Sequence, residues 1–458
     1  MEKNARIATG ELKGLLALFS PILLVAFSNG LFLLIEKLFF TRVSTQAIQV
    51  AVSAAYVNQI FQSPCMALTM MAQVFVGRWL GSKDLNLIGP GVWQFIWFSL
   101  LSILITVPAG LIYGRYYYQG MEIEKLALPY FDFLIGISWL HVLGAGLSSF
   151  YLGLGKTRLV LWGTLGSQII KLIFAYVLIF GWGAWVPAMG LTGGVLSSLI
   201  AQGGYCLLLF GIFLNDKHAR LYHSRSWTLY PKFFWECIHP GLLRAISRIF
   251  AFTSWASIAH LMVSKGGDYL LVLSVGGTLF LTFLGDAVCQ AQTTVVSQIL
   301  GTKNIPLLKK AFHSGFILVS ALLVILCIPY LIFPTQIFHY VFPQAALSDY
   351  SIRKVFFGIL LSSSFFLYGF VLISYILAFK DTKFSAFLGA FNWVNGFLLM
   401  YVAIKKFDIA ADQFWLVLCL MHGSTTLFYY LRTRWLISKY KAETHAASLE
   451  VAGSLNAT

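Results

Sequence analysis

The sequence predicts an all-α integral membrane protein with about twelve transmembrane helices in two pseudo-symmetric six-helix bundles. Three observations carry that prediction. Of 458 residues, 59% are hydrophobic and 11% charged, whereas a water-soluble domain of this size carries roughly twice that charged fraction. One soluble core cannot hide such an excess, so lipid must solvate much of it. The apolar stretches recur along the whole chain, and the second half repeats the first.

Taken in order, the spans fall at 14–39, 46–77, 89–113, 127–153, 159–181 and 190–214, then 234–261, 269–299, 312–334, 352–379, 384–404 and 413–436. Each reaches the roughly 20 residues a crossing needs, and the longer ones must tilt or extend beyond the bilayer. The first is too long for a signal peptide and lacks a small-residue cleavage site, so it reads as a span. After the second come Arg78 and Lys83; after the fourth, Lys156 and Arg158; after the sixth, Lys217, Arg220, Arg225 and Lys232. Lys303, Lys309 and Lys310 follow the eighth, Lys380 and Lys383 the tenth, and Arg432, Arg434, Lys439 and Lys441 close the twelfth. The amino terminus adds Lys3, Arg6 and Lys13. All of these share one side, which the positive-inside rule makes the cytoplasm, with both termini there. The formal charge of +15 is therefore topology, and no nucleic-acid partner is expected. The polar stretch 215–232 reads as a linker. The expected division is an amino-terminal lobe over 1–222, a carboxy-terminal lobe over 223–444 and a disordered cytoplasmic tail over 445–458.

The repeat is legible in three places. Val76 to Asp84 matches Val296 to Asn304, Phe19-Ser20-Pro21 matches Ile238-His239-Pro240, and Leu152 to Arg158 matches Leu377 to Lys383. The offsets are about 220, 219 and 225 residues, nearly constant over a half. Six-span repeats of parallel topology suit alternating access around a site near the midplane. Glycine at these loops is expected to supply the positive φ of a tight reversal.

From about Leu12 to Leu436 the chain resembles the multidrug and toxic compound extrusion (MATE) family. The residues that carry the resemblance are Pro21 and Pro240 early in spans one and seven, Ala72-Gln73 through Gly77 to Gly81, Gly153 to Thr157, the run Tyr176 to Phe180, and Gly190-Leu191-Thr192-Gly193-Gly194. The resemblance implies twelve helices in two lobes, a cell inner (plasma) membrane location, and substrate export coupled to proton or sodium entry. A monomer with a small-molecule substrate and no cofactor is expected.

Charge at bilayer depth costs about 2.5–3.5 kcal/mol on insertion scales, so each buried charge needs a partner or a purpose. The resemblance places Glu36, fifteen residues after Pro21, where the family binds its coupling cation. The alternative is an interfacial Glu beside Lys37. Lys171 stands where the family usually has a cation-coordinating Asn, and Ala175 where a second polar ligand often sits. An ammonium there repels sodium and can pair with Glu36, which points to protons as the coupling ion. Against this stands a Lys171 that faces another helix or snorkels. In the second half Trp255 occupies the place of Glu36, and Phe366 stands where some family members keep an Asp. Asp286 and Gln290, one turn apart in span eight, read as cavity residues or structural hydrogen-bonders. Arg244 is near enough to the span end to snorkel. Arg248 lies deeper, where a basic cavity would favour an anionic or zwitterionic substrate. Asp132 in span four reads as a cavity acid or, being near the outer end, as an interfacial residue. Gln168, Asn392 and Asn395 either line the cavity or tie helices together.

Other function classes lack their chemistry. Gly155-Lys156-Thr157 mimics a phosphate-binding loop, but Phe150 stands where that motif needs glycine. His141, His260, His313, His339 and His422 are scattered, with no HExxH, and the six cysteines form no CxxC pair. The expected function is proton-coupled export of a small amphipathic organic compound; the alternatives are an organic-anion exporter and a flippase of a lipid-linked precursor.

Overall fold

Loop residues with side-chain oxygens start the helices where the apolar runs begin. Ser44, Asn304 and Ser348 each hold an extended backbone and accept a hydrogen bond from the amide three residues on, satisfying donors the helix itself cannot. The computed structural model describes residues 9–456 except 184, 216, 280–281 and 343–346. Its first half holds α1 (Leu12–Val43), α2 (Thr45–Thr69), α3 (Ala72–Ser82), α4 (Ile88–Leu101), α5 (Ile103–Tyr118), α6 (Glu124–Gly136), α7 (Ser138–Gly153), α8 (Thr157–Phe180) and α9 (Leu191–Asn215). The second holds α10 (Pro231–Lys265), α11 (Asp268–Leu279), α12 (Thr282–Thr302), α13 (Ile305–Ile332), α14 (Pro334–Val341), α15 (Asp349–Ala378), α16 (Thr382–Tyr401) and α17 (Phe414–Asn456).

Among the described residues, ten helical stretches are long and apolar enough to cross a membrane. They coincide with expected spans one to six and nine to twelve. Expected spans seven and eight are helical too, as α10 and as α11 with α12, and α10 carries Lys232, Glu236, Arg244, Arg248 and Lys265. Several first-half spans are bent pairs, with breaks between α4 and α5 at Ser102 and between α6 and α7 at Ile137. At the first break the Ser102 hydroxyl bonds back to the Ser99 carbonyl at 2.7 Å, a pattern that competes with the helix ladder.

The chain divides into two units. One covers Ser20–Ala245; the other runs from Ile246 onward and takes the start of α1 up to Phe19. The division falls inside α10, not at the loop position 222/223 read from the sequence. At the carboxy end α17 continues as helix to Asn456, where the sequence reading expects a disordered tail from 445. The segment holds Ala446, Ala447, Leu449 and Glu450, all good helix formers.

Each unit has its own core. Phe40, Val57, Tyr118, Phe131, Ile135 and Ile179 pack in the first; Ile258, Phe338, Phe356, Met400, Trp415 and Leu418 pack in the second. Outward faces are equally apolar: Leu104 and Ile112 are 71% exposed and Leu207 73%. That surface is stable only against lipid.

The repeat survives in three dimensions. Lys83 and Lys303, matched positions, both take a positive φ, of 67° and 57°. Gly155 (76°) and its counterpart Lys380 (61°) do the same. Glycine therefore supplies the left-handed turn at only one of these four places. The matched glycines Gly81 and Gly301 lie inside α3 and α12.

Candidate functional site

The seam between α1 and α8 brings together four polar side chains in otherwise apolar helices. Lys171 lies fourteen residues beyond Thr157 and nine before Phe180, in the middle of α8. Its Nζ is 2.6 Å from Glu36 Oε2, with side-chain exposures of 24% and 12%. Toward the start of the seam, Gln168 Nε2 donates to Asn29 Oδ1 at 3.0 Å. Asn29 and Glu36 are seven residues apart and Gln168 and Lys171 three, so each pair shares a helix face. One turn past Glu36, Phe39 packs edge-on to Tyr176 and Phe180, and Phe40 to Tyr130. Ala175, one turn after Lys171, is fully buried and offers no ligand.

Two more titratable groups lie near this pair. His141 on α7 is within electrostatic reach of Lys171, and Tyr130 on α6 within that of Glu36. Elsewhere in the same unit, Asn58 Oδ1, Asp132 Oδ1 and Ser138 Oγ are buried without a hydrogen-bond partner among the described residues. Asp132 is half-buried on α6. The spacing of Asn58 and Gln62, bonded to each other at 3.0 Å on α2, was the available signal. Asn29, one heptad before Glu36, was another.

In the second unit two of the other expected residues bond between helices. Asn392 accepts from the Thr425 hydroxyl at 2.6 Å, and Asn395 donates to the Ser424 hydroxyl at 3.2 Å, joining α16 to α17. Arg248 is exposed on α10, its guanidinium 5.3 Å from the Phe252 ring centre. Arg244, in the first unit, is half-buried and donates to Met71 Sδ at 3.7 Å. Asp286 and Gln290 are half-buried one turn apart on α12. Trp255 packs on Trp415, and Phe366 on His422, whose Nδ1 is 2.7 Å from the Ser362 hydroxyl. Aromatic contacts thus occupy the places of second-lobe acids. A shallow cleft of about 550 Å³, lined among others by Gln49, Ser53, Tyr56 and Tyr117, includes neither Glu36 nor Lys171.

Comparison with solved structures decides the fold. The chain superposes on an outward-facing multidrug resistance MATE family transporter of the MOP superfamily with a TM-score of 0.84, covering 96% of this chain and 99% of the other at 13% identity. The chain has the MATE fold. A MATE structure in complex with MaD3S matches with a TM-score of 0.83 over 96% and 100% at 14% identity. A MOP superfamily transporter from Pyrococcus furiosus Vc1 (DSM3638), described as having a binding pocket of reverse polarity that suggests a different function, matches with a TM-score of 0.80 over 96% and 99% at 14% identity. In sequence, a MATE-type relative named as the probable multidrug resistance protein NorM of Bacillus subtilis (strain 168) is 26% identical over 271 residues, 57% of this chain. The match spans 59% of that relative's length. No protein-family model matches the chain. These relatives are transporters, not enzymes, and their MATE architecture accounts for the two six-span bundles read from the repeat.

Proposed function

We propose that this chain is a secondary active exporter of small amphipathic organic compounds, driven by proton entry, with both termini in the cytoplasm. The observation that carries the reading is the Glu36–Lys171 contact of 2.6 Å in the middle of an apolar lobe. Lys171 supplies there the positive charge that a sodium ion would otherwise bring. With Glu36 ionised, the pair is neutral overall. A proton taken up by Glu36 leaves Lys171 as an uncompensated charge, at a cost of about 2.5–3.5 kcal/mol on insertion scales. That cost biases the lobe toward a second arrangement, which is what a coupling step requires.

The test is uptake by the full chain in proteoliposomes, under a proton gradient and separately under a sodium gradient. Transport driven by protons and abolished in Glu36→Gln and Lys171→Ala is expected. Full proton-driven activity in both variants, or activity under sodium alone, rules the reading out.

The same ammonium favours a second reading for the cargo, an anionic or zwitterionic compound. The reversed pocket polarity described for the Pyrococcus neighbour supports it. Running cationic and anionic substrates side by side in that assay separates the two.

A further inference from the structure

Between α9 and α10 the chain does not hang free. Tyr222 and Ser224 are buried against α4, and four hydrogen bonds fasten the segment there. Gly89 N donates to the Tyr222 carbonyl at 2.7 Å, Trp93 Nε1 to Ser224 at 2.7 Å, Gln94 Nε2 to Thr228 at 3.2 Å and Trp97 Nε1 to Trp227 at 2.8 Å. Gly89 permits this approach, since a Cβ there would lie 2.3 Å from the Tyr222 oxygen. The segment is a strap of fixed orientation.

Its outward face has a definite chemistry. Lys217, Arg220, Arg225 and Lys232 are all exposed, and none of them is in any ion pair among the described residues. Between and beside them Leu221 is 51% exposed, Trp227 64% and Trp235 56%. Glu236 is the one acidic residue over 217–236. Chain connectivity supplies the surroundings: α9 is an apolar span that ends at Asn215, and α10 begins at Pro231. The strap is tied through α9 to a membrane-crossing helix, so its exposed tryptophan and leucine lie where lipid headgroups are within reach. Tryptophan belongs at that depth, and anionic headgroups complement four unpaired cations.

We propose that the strap 217–232 is a recognition surface for anionic phospholipid headgroups, which clamp it between α4 and the bilayer. Each cation near an anionic surface contributes roughly a fivefold gain in affinity, so the four act together.

The experiment uses the full chain in nanodiscs of phosphatidylcholine, with and without phosphatidylglycerol, and reads amide hydrogen exchange over 217–230. Slower exchange with phosphatidylglycerol is expected, reversed by salt and absent in the Lys217→Gln/Arg220→Gln/Arg225→Gln triple variant. Trp227→Ala keeps the Trp97 bond, which goes to a backbone carbonyl, and should retain a weaker response to phosphatidylglycerol. Equal exchange in both lipids overturns the proposal, as does a triple variant that responds like the parent. Protection that appears only when a soluble protein is added, or that scales with self-association of the chain, overturns it as well. None of these readouts depends on transport.

Discussion

Two residues on neighbouring, largely apolar helices hold opposite charges 2.6 Å apart. Removing one partner of a buried pair leaves a charge behind, which costs about 3–5 kcal/mol when burial is complete. Here some water access remains, so roughly half of that is expected. Glu36→Gln and Lys171→Met should each lower the thermal midpoint in detergent, and Glu36→Leu/Lys171→Leu should recover most of the loss while remaining inactive. A double variant no more stable than the singles would show that the charges are not coupled. A second pair, outside the spans, gives a pH test. Lys265 Nζ lies 2.6 Å from Asp408 Oδ1. That hydrogen bond first, and the lysine charge after it, hold the Asp408 carboxyl below 3.8; the same bond raises the Lys265 ammonium above 10.5. The carboxylate's share of stability is present above 3.8 and is lost as pH falls through the lowered value. The lysine's share is present below 10.5 and is lost as pH rises through the raised one. Asp408 has a φ of 44°, which Asn tolerates, so Asp408→Asn removes charge alone. Thermal midpoints of parent and variant should differ slightly at neutral pH and converge at strongly acid pH, the gap shrinking with salt because the pair is exposed.

Helices meet where glycine lets their backbones approach. A Cβ on Gly193 would stand 2.5 Å from the Leu178 carbonyl oxygen, so α8 and α9 touch backbone to backbone there. Gly193→Ala must push them apart and should cost about 1–3 kcal/mol, read as a drop in thermal midpoint. Gly166, in the same α8, has open space around its Cβ position. Alanine there should be neutral or stabilise by roughly 0.5–1 kcal/mol through backbone entropy. Equal effects at the two glycines would contradict this account of the seam. At Gly89 the obstructing atom belongs to the strap, so Gly89→Ala should speed amide exchange across 217–228 and leave that of α8 unchanged.

For the whole molecule, an even number of spans in each repeat sets the membrane sides. Single cysteines at Arg42 and Arg158, in a background without the six native cysteines, should label from opposite sides of a sealed vesicle. Labelling from the same side would remove the parallel six-span repeat, and alternating access with it. The second unit repeats the first in helix order and in the left-handed turns at Lys83 and Lys303, yet it replaces the first unit's acid by Trp255 and keeps His422 beside Ser362. Similar frames thus carry different polar residues, so loss of Glu36 should not be rescued from the second unit.

Span number, the duplicated halves and the positive-inside pattern were legible in the chain itself, because apolar length and loop charge act locally and add along it. The partnership of Glu36 with Lys171 was legible as a possibility, since a midspan ammonium demands a counter-charge. Its distance, the companion bond from Gln168 to Asn29, and the buried atoms of Asp132 and His141 were settled only by packing, which brings residues more than a hundred positions apart to one seam. So were the lysines that take the left-handed turns and the strap folded onto α4. Each depends on which backbone surfaces approach closely enough to touch, and hydrophobic periodicity contains no information about that.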